Sequence, residues 1–185
     1  MIHLVLGGAR SGKSRYGESI AKQYAEQGLR CIYIATATAL DDEMTERIAR
    51  HQQDRVDSKL NWQLLEAPLE LASTLQQYSA DDSVILVDCL TLYLTNHLIA
   101  GEEAQSDEQG GQDDSWQQQK QALLACLPQL KGQVIFVSNE VGSGIVPLGE
   151  LTRRFADEAG WLNQAIAQQA DKVSLVVAGI PLSLK

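Results

Sequence analysis

Eight consecutive residues near the amino terminus have the types and spacing to hold a phosphate chain: Gly7-Gly8-Ala9-Arg10-Ser11-Gly12-Lys13-Ser14. They fit the pattern G-x-x-x-x-G-K-[ST]. Gly7 and Gly12 permit backbone angles that a Cβ opposes. The main-chain N–H groups can then converge on phosphate oxygens at a helix amino terminus. Lys13 supplies a cation to the β- and γ-phosphates, and Ser14 offers a hydroxyl to Mg2+. The competing reading is a glycine turn that happens to contain lysine. Context argues against it, because an apolar run precedes the motif and a helical pattern follows.

Phosphate loops of this kind work with an acid at the end of a neighbouring strand. Asp88 closes the apolar run Val84-Ile85-Leu86-Val87 and fits that Mg2+-holding role. It also fits a helix N-cap, since the pattern from Leu90 onward is helical. Ser138 to Pro147 follows another apolar run. Ligands of open α/β sheets bind beyond the carboxyl ends of the strands, so this loop is expected to face the same crevice, with Asn139 and Glu140 as polar handles or as a plain connection.

A third region carries titratable chemistry. Arg47, His51 and Arg55 are spaced i, i+4, i+8 in a segment whose acids (Asp41, Asp42, Glu43) lead and whose bases follow, which complements a helix dipole. On a helix the three form one stripe. Two guanidiniums beside an imidazole lower its pKa, and a neutral imidazole can attack phosphorus. Taken alone, the stripe reads rather as a solvated charged face. His3 and His97 lie in apolar surroundings and are expected to be structural.

The elements that must position these groups alternate. Strands are predicted at His3–Leu6, Cys31–Ala35, Trp62–Leu65, Val84–Val87, Val134–Val137 and Val173–Val177. Helices are predicted at about 13–27, 41–56, 69–79, 90–100, 115–130 and 151–170. Alternation of this kind implies an α/β fold with a mainly parallel sheet covered by helices. The length of 185 residues favours one domain, 1–185.

The formal charge is −9, from 15 basic and 24 acidic residues. Glu102, Glu103, Asp107, Glu108, Asp113 and Asp114 fall within 101–115, which has no Lys or Arg, so the rest of the chain is only −3. That stretch reads as a flexible acidic excursion between helices. No basic cluster marks a nucleic-acid binder, no run reaches the roughly 20 apolar residues of a membrane span, and the first residues lack the pattern of a signal peptide. Cys31, Cys89 and Cys126 are scattered without metal-ligand spacing and are expected to be buried thiols in a reducing cytoplasm.

Together these segments resemble the bifunctional adenosylcobinamide kinase / adenosylcobinamide-phosphate guanylyltransferase family, nearly from end to end. The likeness rests on Gly7 to Arg15, Tyr33-Ile34-Ala35-Thr36-Ala37, and Asp42-Glu43-Met44 with Arg47-Ile48, His51 and Arg55. It continues through Trp62 with Glu66-Ala67-Pro68, Asp88-Cys89-Leu90-Thr91 with Thr95-Asn96, Asn139-Glu140-Val141-Gly142, Gly144-Ile145-Val146-Pro147, and Arg154-Phe155, Asp157, Gly160 and Asn163-Gln164. The resemblance implies a RecA-like P-loop fold and a homotrimer. It implies phosphorylation of adenosylcobinamide by ATP or GTP, then transfer of GMP from GTP to adenosylcobinamide-phosphate through a guanylyl-histidine. By motif position that histidine is His51. Nucleotide contacts are implied at Thr36, Ala37, Thr38, Gln52, Gln53, Asp54, Arg55 and Glu66.

Overall fold

The computed structural model describes residues 1–38, 60–105, 114–145 and 147–185, with the backbone alone at 102–105 and 114. The expected helix over 41–56, and with it His51, lies outside the described residues.

Among the described residues, seven strands form one sheet in the order β3-β2-β4-β5-β1-β6-β7. They are β1 (Ile2–Gly7), β2 (Arg30–Ala35), β3 (Trp62–Glu66), β4 (Ser83–Asp88), β5 (Gln133–Asn139), β6 (Lys172–Val177) and β7 (Ile180–Ser183). The first six run parallel, and β7 returns antiparallel to β6. The described helices are α1 (Lys13–Ala25), α2 (Leu71–Tyr78), α3 (Leu90–Gln105), α4 (Asp114–Cys126) and α5 (Glu150–Gln169), with a short 3-10 turn at Leu127–Gln129. The mainly parallel α/β fold expected from the alternation is present.

Strands such as β1 and β4 are apolar through their centres, Leu4–Leu6 and Val84–Val87, because both faces are covered, as parallel sheets require. On one face Val5, Leu86, Ile135 and Val137 pack against Ile20 and Ala21 of α1. On the other, Leu4, Ile85, Val87 and Phe136 meet Leu71 and Leu75 of α2, Tyr93 and Leu94 of α3, Trp116 and Leu123 of α4, and Leu162 and Ile166 of α5. Each such leucine or valine contributes about 1.5–3 kcal/mol on burial.

α4 is tied to α5 by a polar cluster. Glu158, buried, accepts from Trp116 Nε1 at 2.7 Å, Gln117 Nε2 at 2.9 Å and Lys120 Nζ at 2.8 Å. Burial alone would raise its carboxyl, but the bonds from Lys120, Trp116 and Gln117 outweigh that and hold it below the ordinary carboxylate range.

Two boundaries differ from the sequence expectation. The helix predicted to stop near residue 100 continues to Gln105, and the next opens at Asp114. Segment 106–113 lies outside the described residues. Strand β7 was not expected. It follows a two-residue turn in which Ala178 has φ 51° and Gly179 φ 80°, the doubly left-handed geometry of a tight hairpin.

Candidate active site

The phosphate loop joins β1 to α1. Gly12, the residue before α1, has φ 95°, where only glycine is unstrained. The other left-handed position is Arg10, at φ 55°. Gly7 is needed for a different reason from the one its place in the motif suggested. Its φ is not left-handed; instead, a Cβ there would stand 2.4 Å from Ser11 Oγ and 2.7 Å from the Val176 carbonyl. The loop is propped by the β6–β7 hairpin, since Gly179 N–H donates to the Ser11 carbonyl at 2.7 Å. Gly8, Ala9 and Arg10 are exposed, whereas Lys13 is buried and its Nζ donates to the Gly8 carbonyl at 3.1 Å. Ser11 Oγ is buried with no hydrogen-bond partner among the described residues.

Asp88 ends β4, separated from β1 by β5 alone. It lies on the α1 side of the sheet, two residues beyond Leu86. Tyr33 of β2, buried on that same face, donates its phenol O–H to Asp88 Oδ2 at 2.9 Å. This contact had no signal in the sequence, because it joins strands whose pairing only the fold supplies.

Thr36, expected to touch nucleotide, is wholly buried. Its Oγ1 donates to the Cys89 carbonyl at 2.7 Å and accepts from Cys89 N–H at 2.8 Å. Its own carbonyl accepts from Asn96 Nδ2 at 2.7 Å. The hydroxyl thus braces the peptide after Asp88. Ala37 is half-buried and Thr38 exposed beyond it. Glu66, exposed at the end of β3, pairs in register with Ala35, which in turn pairs with Asp88. At about 4.8 Å per strand, Glu66 stands about 19 Å from β1 along the sheet edge. His51 and Gln52, Gln53, Asp54 and Arg55 lie outside the described residues.

The oxygen donors at the site suit a hard cation. Ser14 opens α1 beside Lys13, and Asp88 presents a carboxylate oriented by Tyr33. Mg2+ takes one or two carboxylate or hydroxyl ligands and completes its shell with phosphate and water. No cluster of three or more His, Cys, Asp or Glu side chains gathers among the described residues.

Three other titratable side chains, Cys89, His3 and His97, are buried in the fold. Burial, and then the Asp88 charge, push the Cys89 thiol up to about 11. All three cysteines are free and buried, as expected. His3 bonds Ser174 Oγ at 2.9 Å, and burial followed by the Lys172 charge lowers its pKa. His97 bonds the Leu69 carbonyl at 3.1 Å and meets Tyr93 edge-on.

A phosphate loop between the first strand and first helix, with an acid ending a strand one place removed, is the arrangement of the P-loop nucleoside triphosphatase fold in its RecA-like strand order. Within that class, the model for cobinamide kinase / cobinamide phosphate guanyltransferase matches residues 3–184, and the chain belongs to this family of bifunctional enzymes. It is 50% identical over 185 residues to the bifunctional adenosylcobalamin biosynthesis protein CobP of Pseudomonas aeruginosa, covering all of this chain and 98% of that one. It is 38% identical over 188 residues to the bifunctional adenosylcobalamin biosynthesis protein CobU of Salmonella typhimurium, and 38% identical over 195 residues to that of Escherichia coli, covering all of each chain. Among the described residues, no helix is long and apolar enough to cross a membrane.

Proposed function

We propose that the chain phosphorylates the aminopropanol hydroxyl of adenosylcobinamide with ATP or GTP, and then transfers GMP from GTP to adenosylcobinamide-phosphate, giving adenosylcobinamide-GDP and pyrophosphate in the nucleotide-loop stage of cobalamin biosynthesis. The observation that carries it is a family match over residues 3–184 on a chain whose phosphate loop and Asp88 follow the carboxyl ends of two parallel strands with one strand between them.

The loop amides of Gly8 to Ser14 and the Lys13 ammonium bind the phosphates and stabilise charge on the departing pyrophosphate or nucleoside diphosphate. Ser14 and Asp88 would hold Mg2+, which neutralises phosphate charge when bound. The roughly 19 Å from the loop to Glu66 suits an extended nucleotide, with its phosphates at β1 and its nucleoside end near Ala37, Thr38 and Glu66. Gln52, Gln53, Asp54 and Arg55 then add contacts from the histidine segment, while Thr36 braces the strand end.

In the guanylyl half-reaction a His51 ring nitrogen attacks the α-phosphorus. The bond to the α,β-bridging oxygen breaks, and pyrophosphate leaves with that electron pair. A phosphate oxygen of adenosylcobinamide-phosphate next attacks the same phosphorus, and the imidazole leaves. The covalent intermediate divides one displacement into two.

Further properties follow from the family resemblance: a cytoplasmic homotrimer. Val177, Ile180 and Leu182 on the edge hairpin are exposed and supply apolar surface for a subunit contact. A light-scattering mass of three chains supports that assembly, and a monomer mass contradicts it.

The test is to incubate the protein with adenosylcobinamide, ATP, GTP and Mg2+ and identify products by mass. Adenosylcobinamide-phosphate followed by adenosylcobinamide-GDP supports the proposal. Phosphorylation with no guanylylated product would leave a small-molecule kinase, and nucleotide binding with no corrinoid turnover would leave a nucleotide-dependent switch.

A further inference from the structure

Asn139 is the last residue of β5, the strand between the phosphate-loop strand and the Asp88 strand. On one side it pairs in register with Gly7; on the other, the residue two before it, Val137, pairs with Asp88. Strand alternation sends its side chain to the face of Ile135 and Val137. That is the face covered by α1 and shared by Asp88.

Two helices fix the origin of this side chain. Asn139 N–H donates to Thr91 Oγ1 of α3 at 2.8 Å, and the Asn139 carbonyl accepts from Asn163 Nδ2 of α5 at 3.1 Å. Its Oδ1 is nonetheless buried, with no hydrogen-bond partner among the described residues. An unmatched buried oxygen costs about 1–3 kcal/mol, and one retained at a site calls for a physical reason, a catalytic role among them. The oxygen needs a donor. Ionised phosphate oxygens only accept, so the triphosphate does not satisfy it. An alcohol does.

We infer that Asn139 seats the phosphoryl acceptor of the kinase step, its Oδ1 accepting a hydrogen bond from the substrate hydroxyl between the phosphate loop and Asp88. The inference rests on the kinase reading given above and assigns to it a substrate-contacting residue. With the O–H held by Asn139, a lone pair of the hydroxyl oxygen is turned to the γ-phosphorus. The new O–P bond forms, and the bond to the β,γ-bridging oxygen breaks with its electron pair on the nucleoside diphosphate. The hydroxyl proton passes to the transferred group, giving the monoester R–OPO3H−. The transition state of such transfers is loose, so orientation of the acceptor is the main demand on the protein. Ser11 Oγ, the unmatched hydroxyl in the loop itself, has the complementary chemistry and can donate to phosphate.

The guanylyl half-reaction uses no alcohol, which separates the two activities. Asn139→Ala should lower kcat/KM for adenosylcobinamide phosphorylation at least about tenfold. Covalent labelling by GTP carrying labelled α-phosphorus, measured without corrinoid, should stay within about twofold of wild type. Retained labelling also shows that the variant folds and binds nucleotide. Phosphorylation at the wild-type rate overturns the acceptor role, and so does parallel loss of both activities, which would make Asn139 part of the nucleotide site or the fold. A wild-type protein that never phosphorylates the corrinoid overturns the functional reading itself, and the acceptor role with it.

Discussion

Tyr33 and Asp88 sit on neighbouring parallel strands, and the Tyr33 phenol holds Asp88 Oδ2 at 2.9 Å from the α1 side of the sheet. Tyr33 is 2% exposed, so its ring is fixed by packing and the carboxylate orientation follows from it. Removing only the hydroxyl, as in Tyr33→Phe, should cost about 1 kcal/mol of stability. On the proposal that Asp88 holds Mg2+, the larger effect should fall on metal use: the Mg2+ concentration for half-maximal corrinoid phosphorylation should rise on the order of tenfold, as when a residue that orients a metal ligand is lost. A Mg2+ titration of the variant beside wild type measures it.

Gly7→Ala tests close approach. The added Cβ would lie 2.7 Å from the Val176 carbonyl, a backbone atom within a parallel strand pair that cannot yield cheaply. The loop must shift, and GTP affinity by calorimetry should fall at least about tenfold, roughly 1.4 kcal/mol. Gly12→Ala should add backbone strain of about 1–2 kcal/mol at φ 95°, read as a lower Tm.

Glu158→Gln tests the α4–α5 tie. The variant leaves the Lys120 ammonium without its carboxylate at a site where Lys120 is 15% exposed, and should lose about 1–3 kcal/mol. The wild-type carboxyl is held below its unfolded value of 4.5. Its stabilisation is therefore complete above that pH and is lost as pH falls through the lower folded value. The Tm gap between wild type and variant should be widest near neutrality and close on acidification.

The acidic residues of 101–115 should matter little to the phosphate site. α3 starts at Leu90, two residues from Asp88, and its 16 residues carry the chain about 22 Å away, beyond the roughly 8 Å screening length at physiological salt. Replacing Glu102, Glu103, Asp107, Glu108, Asp113 and Asp114 by their amides should leave GTP affinity within about twofold. A large change would place that segment at the site.

Much of the fold was legible because its strands are apolar and β-branched and its helices separate them. Even the half-exposed run at Trp62 proved to be a strand. β7 was hidden because Pro181 sits in it, and a proline within a short run reads as a break; at a sheet edge opposite Val176 it is tolerated. In the site, the loop was legible because its residue types follow one another at fixed spacing in the sequence, although the close approach that requires Gly7 comes from Val176 on another strand. Tyr33, the Thr36 brace and the clamped Asn139 were not, because each depends on which strand or helix lies beside it. Periodicity in the sequence carries burial, and it does not carry sheet order.

Covalent labelling distinguishes a guanylyl group carried on His51 from one that never attaches to the protein. Incubated with Mg2+ and GTP labelled at the α-phosphorus, then denatured, the wild-type protein should retain label that survives alkali and is released by acid, as a phosphoramidate does, and His51→Ala should retain none. No label on wild type, or label persisting on His51→Ala, would rule His51 out as the guanylyl carrier.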